Sequence, residues 1–209
     1  KYIRISTPEA IGHSKGFILE NTLSNPSTPY AISHLTQDLT LSAYFKFNKF
    51  PYVISRFSNF YGSNQQLYRI IPKTLCCIFN KKKLPLHGGG KAIRSFIYID
   101  DFCEGIYKSM IKGRIGEIYN FTNREYVTIL WLVKKICYLT GTNFTKLVKI
   151  SKDRPTKDHS YKMDPSKAER VLNWRPKYSI EEGLKKTIAW YKANEKQISI
   201  LRKTYVHKP

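Results

Sequence analysis

Pro51-Tyr52-Val53-Ile54-Ser55-Arg56-Phe57 is the stretch on which the fold turns, and it reads as a β-strand. Upstream, Tyr2-Ile3-Arg4-Ile5-Ser6 alternates in the same way and reads as another. Between them the turn-rich cluster Asn25-Pro26-Ser27-Thr28-Pro29 signals a helix start, and Tyr30, Leu35, Leu39, Leu41, Ala43, Tyr44 and Phe47 recur at roughly helical spacing. Strand, helix, strand predicts a parallel βαβ unit with a right-handed crossover, half of a nucleotide-binding sheet.

Beyond Tyr61-Gly62 the elements shorten. The pattern predicts a helix over about 69–80, a turn at Gly88-Gly89-Gly90 and a strand at Ser95-Phe96-Ile97-Tyr98-Ile99. Asp100 or Asp101 is expected to cap a helix that stops at Gly113, because acidic starts and glycine stops suit the orphan groups of helix ends. Glu117-Ile118-Tyr119-Asn120-Phe121 is a further strand. Thr128 can cap a helix that presents Leu132, Ile136 and Leu139 on one face, and Asp164-Pro165 sets a cap residue before a proline. Ser179-Ile180-Glu181-Glu182 has the form of a capping box ahead of Leu184, Ile188 and Tyr191. No internal repeat is visible.

The chain has 209 residues, 42% hydrophobic and 24% charged, enough apolar material for a packed core in one large or two small domains. Its longest apolar stretches, such as Ile129–Val133, fall far short of the roughly 18 residues that a membrane span needs, so no membrane association is expected. Lys1-Tyr2-Ile3-Arg4-Ile5 lacks the apolar region of a secretory signal, which makes the cytoplasm the expected location. Lys and Arg number 36 against 15 Asp and Glu, a formal +21 that favours anionic partners. These basic residues are scattered, with Lys81-Lys82-Lys83 the longest run and no nucleic-acid-binding motif among them, so dedicated nucleic-acid binding is not expected. Cys76, Cys77, Cys103 and Cys137 form no Cys-x-x-Cys pair, and His13, His34, His87, His159 and His207 form no helical pair, so no metal site is expected.

Four blocks then follow one another as they do in a known family: Ser6-Thr7-Pro8-Glu9-Ala10-Ile11-Gly12, Pro29-Tyr30-Ala31-Ile32-Ser33-His34, Arg56-Phe57-Ser58-Asn59-Phe60-Tyr61-Gly62, and Arg94-Ser95-Phe96-Ile97-Tyr98-Ile99-Asp100-Asp101. In order and content they resemble the NAD-dependent epimerase/dehydratase family of extended short-chain dehydrogenase/reductases. The branch most resembled is dTDP-glucose 4,6-dehydratase, and the likeness runs from about residue 2 to residue 194. It implies an α/β fold: the C-terminal part of a Rossmann-like parallel sheet plus a small mixed α/β substrate-binding domain. Residues 1–62 would be a partial NAD-binding domain, 63–194 mainly the substrate-binding domain and 195–209 a tail. A glycine-rich loop that meets the pyrophosphate of NAD belongs upstream of these motifs, and the sequence begins after its expected position.

The implied chemistry is oxidation at C4 of a nucleotide-linked sugar by hydride transfer to NAD, elimination across C5 and C6, and return of the hydride. Tyr30 matches the family's base, with Thr7 placed to bond the same oxygen. A phenol is a poor base at neutral pH unless a positive charge stands close by. Relatives have Lys four residues on, where a unit charge at about 4 Å is worth roughly 4 kcal/mol at an effective dielectric of 20; this chain has His34. A second departure is the catalytic trio, which reads Thr7-Pro8-Glu9: Glu9 remains as a base, but proline has no proton to give to a leaving hydroxyl. A nucleotide-sugar 4-epimerase, or a catalytically impaired sugar-nucleotide-binding remnant, is therefore the alternative.

For the remaining contacts the resemblance implies Tyr30, His34, Ser58 and Asn59 toward NAD, and Arg69, Arg94, Asn120, Arg154 and Tyr161 toward a nucleotide diphosphate sugar. Arginine forks suit phosphate oxygens. Lys157 stands where close dehydratases have histidine. Relatives commonly dimerise through the helix bearing the catalytic tyrosine and the helix before it, which leaves homodimerisation open here.

Overall fold

The computed structural model describes residues 1–14, 16–152 and 160–201. In chain order the first half comprises β1 (Tyr2–Ser6), α1 (Pro29–Asn48), β2 (Tyr52–Phe57), β3 (Asn59–Tyr61), α2 (Ile70–Phe79), β4 (Leu84–His87) and β5 (Ile93–Tyr98). The second half comprises α3 (Ile99–Lys112), β6 (Ile118–Phe121), β7 (Tyr126–Thr128), α4 (Ile129–Thr140), α5 (Phe144–Leu147), β8 (Val148–Ser151), α6 (Ser166–Leu172), α7 (Ile180–Ala193) and α8 (Glu195–Ile200). Short 3₁₀ turns lie at Pro8–Ala10 and Gly88–Gly90.

The βαβ unit is present: β1 and β2 run parallel, in register from Tyr2 opposite Tyr52 to Ser6 opposite Arg56, and α1 connects them. The helix begins as its sequence implies, with the Thr28 hydroxyl accepting the Ala31 N–H at 3.1 Å and Pro29 in the first turn, where a missing N–H costs nothing. It ends at Lys49 in the left-handed conformation (φ 55°). β6 adds to the other side of β2, also parallel, which gives the order β1-β2-β6. The third strand of this sheet comes from residues 118–121, beyond residue 62.

Alternation along the strands gives this sheet dissimilar faces. Val53 and Phe57 of β2 with Tyr119 and Phe121 of β6 form one, packed on Phe102 of α3, on Ala168 and Leu172 of α6, and on the fully buried Trp174. Gly105 of α3 lies so close to this face that a Cβ there would meet the Phe57 ring at 2.9 Å. The other face carries Arg4, Ser6, Arg56 and Asn120, and α1 lies over it. A second core gathers Tyr61, Leu75, Phe96, Leu132, Ile136, Leu184 and Tyr191 from β3, α2, β5, α4 and α7. Ile198 of α8 is buried in it, so the expected tail begins as a helix docked on this core.

Thr128 caps α4, and the reciprocal Ser179–Glu182 bonds cap α7. At α3 the outcome differs from the expectation: Tyr98 is the N-cap residue and no side chain caps it. Asp101 instead turns its carboxylate to the 177–178 segment, accepting the N–H groups of Lys177 (2.9 Å) and Tyr178 (3.1 Å), so a distant loop used the acceptor that local pattern assigned to a cap. Burial, opposed by these bonds, leaves the Asp101 carboxyl above its ordinary range. The parallel pair β4–β8 went unforeseen, because its partners are short, flanked by lysines and separated by more than sixty residues of chain. No helix among the described residues is long and apolar enough to cross a membrane.

Candidate functional site

Thr7 leaves β1 in extended conformation and caps the Pro8–Ala10 turn, its hydroxyl facing the Glu9 N–H at 3.4 Å. Pro8 is buried and opens the turn, a ring that suits this geometry and has no proton to donate. Tyr30 lies in the first turn of α1, half exposed at 52%, with its ring 4.5 Å from that of His34 one helical turn later. Burial first, then the Glu9 carboxylate, raise the Tyr30 phenol above its usual value; Arg69 and Arg4 pull it the other way without prevailing. Tyr30 and His34 at the start of α1 thus stand within reach of the Glu9 and Arg69 charges, and Thr7 caps the turn that holds Glu9.

His34 is held by a group that sequence reasoning did not single out. The Arg4 guanidinium lies 2.8 Å from His34 Nδ1, and its Nε lies 3.4 Å from Asp38 Oδ1. Asp38 is 5% exposed and also accepts the Ser6 hydroxyl at 2.5 Å. Burial and the Arg4 charge together push the His34 imidazole below its ordinary value, against the pull of Asp38. The signal for this cluster was present: Arg4 and Ser6 share one side of β1, and Asp38 lies one helical turn beyond His34.

At the end of β2, Ser58 is buried and its Oγ has no hydrogen-bond partner among the described residues. Asn59 is exposed, and its amide reaches the Ser95 carbonyl at 3.4 Å. Asn120 lies in β6. It is fully buried, its amide donating to the Ile18 carbonyl (3.0 Å) and its Oδ1 accepting from Arg56 (3.2 Å), so it braces the sheet and the 18–20 segment. Arg56 is itself 3% exposed, with its Nε lacking a hydrogen-bond partner among the described residues; burial lowers its pKa, against the pull of Asp38 and Glu20.

The Arg94 guanidinium lies over the Tyr161 ring, 4.6 Å from its centroid. Tyr161 belongs to a small buried cluster with Ile11, Ile18 and Met163, and Ile11 is two residues beyond Glu9. Arg94 is therefore joined through one aromatic ring to the loop that leaves the Thr7–Glu9 turn. Arg154 and Lys157 lie outside the described residues.

A family model described as GDP-mannose 4,6 dehydratase matches residues 1–187. The chain belongs to the GDP-mannose 4,6 dehydratase family. Among relatives in this group, dTDP-D-glucose 4,6-dehydratase of Homo sapiens is 36% identical over 203 residues, covering 93% of this chain and 57% of its own length. The dTDP-glucose 4,6-dehydratase of Streptomyces venezuelae, solved with NAD bound, superimposes with a TM-score of 0.90 at 32% identity, covering 93% of this chain and 61% of that one. The UDP-glucuronic acid 4-epimerase of Bacillus cereus, solved with UDP-glucuronic acid and NAD, gives 0.86 at 27% identity, covering 91% and 61%. The chain thus spans little more than half the length of these dehydratase-family relatives. Its Rossmann-like α/β architecture is theirs, and the Tyr30 cluster occupies the C-terminal edge of the parallel strands, the edge at which open α/β sheets receive ligands.

Proposed function

We propose that this protein acts on a nucleotide diphosphate sugar, in the manner of an NAD-dependent 4,6-dehydratase of the dTDP-glucose type. The observation that carries the reading is the packing on α1 of the Pro8–Ala10 turn that Thr7 caps, with the Glu9 carboxylate and the Arg69 charge acting on Tyr30 in the first turn of that helix. Tyr30 would take the proton from the sugar C4 hydroxyl, Thr7 would donate a hydrogen bond to that oxygen, and Glu9 would receive the C5 proton and, with Pro8 unable to donate, pass it to the departing C6 hydroxyl so that water leaves. NAD, when bound, supplies the hydride acceptor. Two features suit its nicotinamide end: the orphaned, buried Ser58 hydroxyl and the His34 Nε2, which points away from the Arg4 bond. Tyr30 and Asn59 complete that set. On the sugar-nucleotide side, Arg69, Arg94 with Tyr161, and Arg154 would carry phosphate and sugar contacts, while Asn120 contributes through the packing of β6.

A second reading, binding of a sugar nucleotide with weakened dehydration, or 4-epimerisation, is favoured by Pro8 at the acid position and by the raised Tyr30 phenol. Elimination needs an acid for the departing hydroxyl; reversible oxidation at C4 does not. Homodimerisation through α1 is supported by the exposure of Ile32, Leu39 and Phe47 along it.

The deciding experiment is a thermal-shift titration of the 209-residue chain with thymidine and uridine diphosphate sugars. The wild type should be stabilised, and Arg69→Ala combined with Arg94→Ala should lose most of that shift. A shift that survives both replacements, or none in the wild type, counts against the assignment. Incubation of the wild type with added NAD then separates a 4-keto-6-deoxy product from a 4-epimer and from no turnover.

A further inference from the structure

We propose that Arg4 is a positioning residue of this site: paired with Asp38, it fixes His34 as the neutral Nε2–H tautomer, with the proton turned away from Arg4. The site's centre at Tyr30 and His34 is taken from the reading above. The geometry carries the rest. A guanidinium has N–H donors only and stays protonated, so a 2.8 Å contact between Arg4 and His34 Nδ1 requires that nitrogen to be the acceptor. The imidazole proton must then reside on Nε2, on the far side of the ring, where it can be donated to a ligand oxygen. A cationic His34 would place an N–H donor against the guanidinium, so the form in which histidine best imitates lysine is the one that Arg4 excludes.

Asp38 gives Arg4 its place. Its carboxylate, nearly buried, forms an ion pair with Arg4 Nε through Oδ1 at 3.4 Å, not a hydrogen bond, and accepts the Ser6 hydroxyl through Oδ2, while the Arg4 guanidinium also reaches His34. The charged and titratable groups facing His34 are Arg4 from β1 and Asp38 and Tyr30 from α1; beyond Tyr30 stand Glu9 of the 3₁₀ turn and Arg69 before α2. Arg4 favours the neutral form of His34, while the larger pull toward ionised Tyr30 comes from the charge of Arg69. Arg4 and His34 are therefore a matched pair. A lysine at position 34 would confront Arg4 with a second cation at close range.

Long-range ¹H–¹⁵N spectra of the 209-residue chain, with His34 assigned by its loss in His34→Gln, test this directly. In the wild type at neutral pH, His34 should carry its proton on Nε2 and titrate with a midpoint below its ordinary value of 6.5. Arg4→Gln, which can still donate a hydrogen bond but is uncharged, should move that midpoint upward, and Arg4→Lys should return it part of the way. Asp38→Asn should move it downward. An Nδ1–H tautomer in the wild type, or a midpoint unmoved in Arg4→Gln, overturns the proposal. If the Arg4 variants do not fold, the wild-type tautomer decides alone. No sugar nucleotide or NAD is present in these spectra, so their outcome is separate from that of the thermal-shift test.

Discussion

On one face of the β1-β2-β6 sheet, Val53, Phe57, Tyr119 and Phe121 close on Phe102 and Trp174; on the other, Arg4, Ser6, Arg56 and Asn120 lie beneath a helix that contributes a carboxylate. The same strands build both faces, and the two-residue period of a strand separates them. The apolar face is sealed, with the Phe57 and Phe121 rings stacked at 4.5 Å and the Trp174 ring standing edge-on to Phe121 at 5.0 Å. Its polar atoms are paired: the Ser55 hydroxyl donates to Ser109 at 2.9 Å and the Trp174 indole to the Asp101 carbonyl at 3.0 Å. The polar face leaves the Arg56 Nε and the Ser58 hydroxyl without hydrogen-bond partners among the described residues. The apolar burial that favours folding lies on the first face. The second adjoins the Tyr30 site and keeps polar groups that packing alone would not select.

The largest expected effect tests the first face. Trp174→Ala removes a fully buried ring and an indole bond and should cost about 3–5 kcal/mol by denaturant unfolding. A loss below about 1 kcal/mol would mean that this core is not where the stability lies. On the polar face, Asp38→Ala leaves Arg4 without its counter-ion and should cost about 3 kcal/mol. Arg4→Met with Asp38→Leu together should cost clearly less than Asp38→Ala alone, since an apolar pair has no charge to desolvate. A double variant worse than the single would show that the ion pair itself holds the helix on the sheet. Ser55→Ala, on the sealed face, removes one bond and should cost about 1 kcal/mol.

The smallest effect is that of His34 on acid stability. Its folded pKa is depressed, so its contribution is present above the unfolded value of 6.5 and is lost as pH falls through the folded value, where the unfolded chain has already bound the proton. Melting curves of the wild type should fall more steeply on acidification below 6.5 than those of His34→Gln. Partial exposure screens the effect. Equal slopes would indicate that burial and Arg4 together do not depress the ring.

Elements whose signals are local were legible in advance. Thr28-Pro29, Thr128 and Ser179–Glu182 declare helix starts through bonds spanning three residues, and β1 and β2 declare themselves by alternation. The tyrosine and glutamate of the candidate site were legible through the order of the blocks around them. The pairing of β4 with β8 was not, nor was the diversion of Asp101 to residues 177–178, because each depends on a partner far along the chain. Helical spacing in α1 predicted the helix but not its surroundings: Leu39, Tyr44 and Phe47 are exposed, and the most buried side chain after Ala31 is the acid Asp38.

By itself, then, the sequence determined the parallel βαβ frame, the starts of α1, α4 and α7 and the candidate residues at Thr7, Glu9 and Tyr30, since these rest on period, capping and motif order within short spans. Only the tertiary structure decided that Arg4 governs His34, that Asn120 braces the sheet, and that the third strand comes from residues 118–121. The reason is physical. Strand period tells which side chains share a face, but the charge and solvation felt by each depend on what the rest of the chain lays over that face.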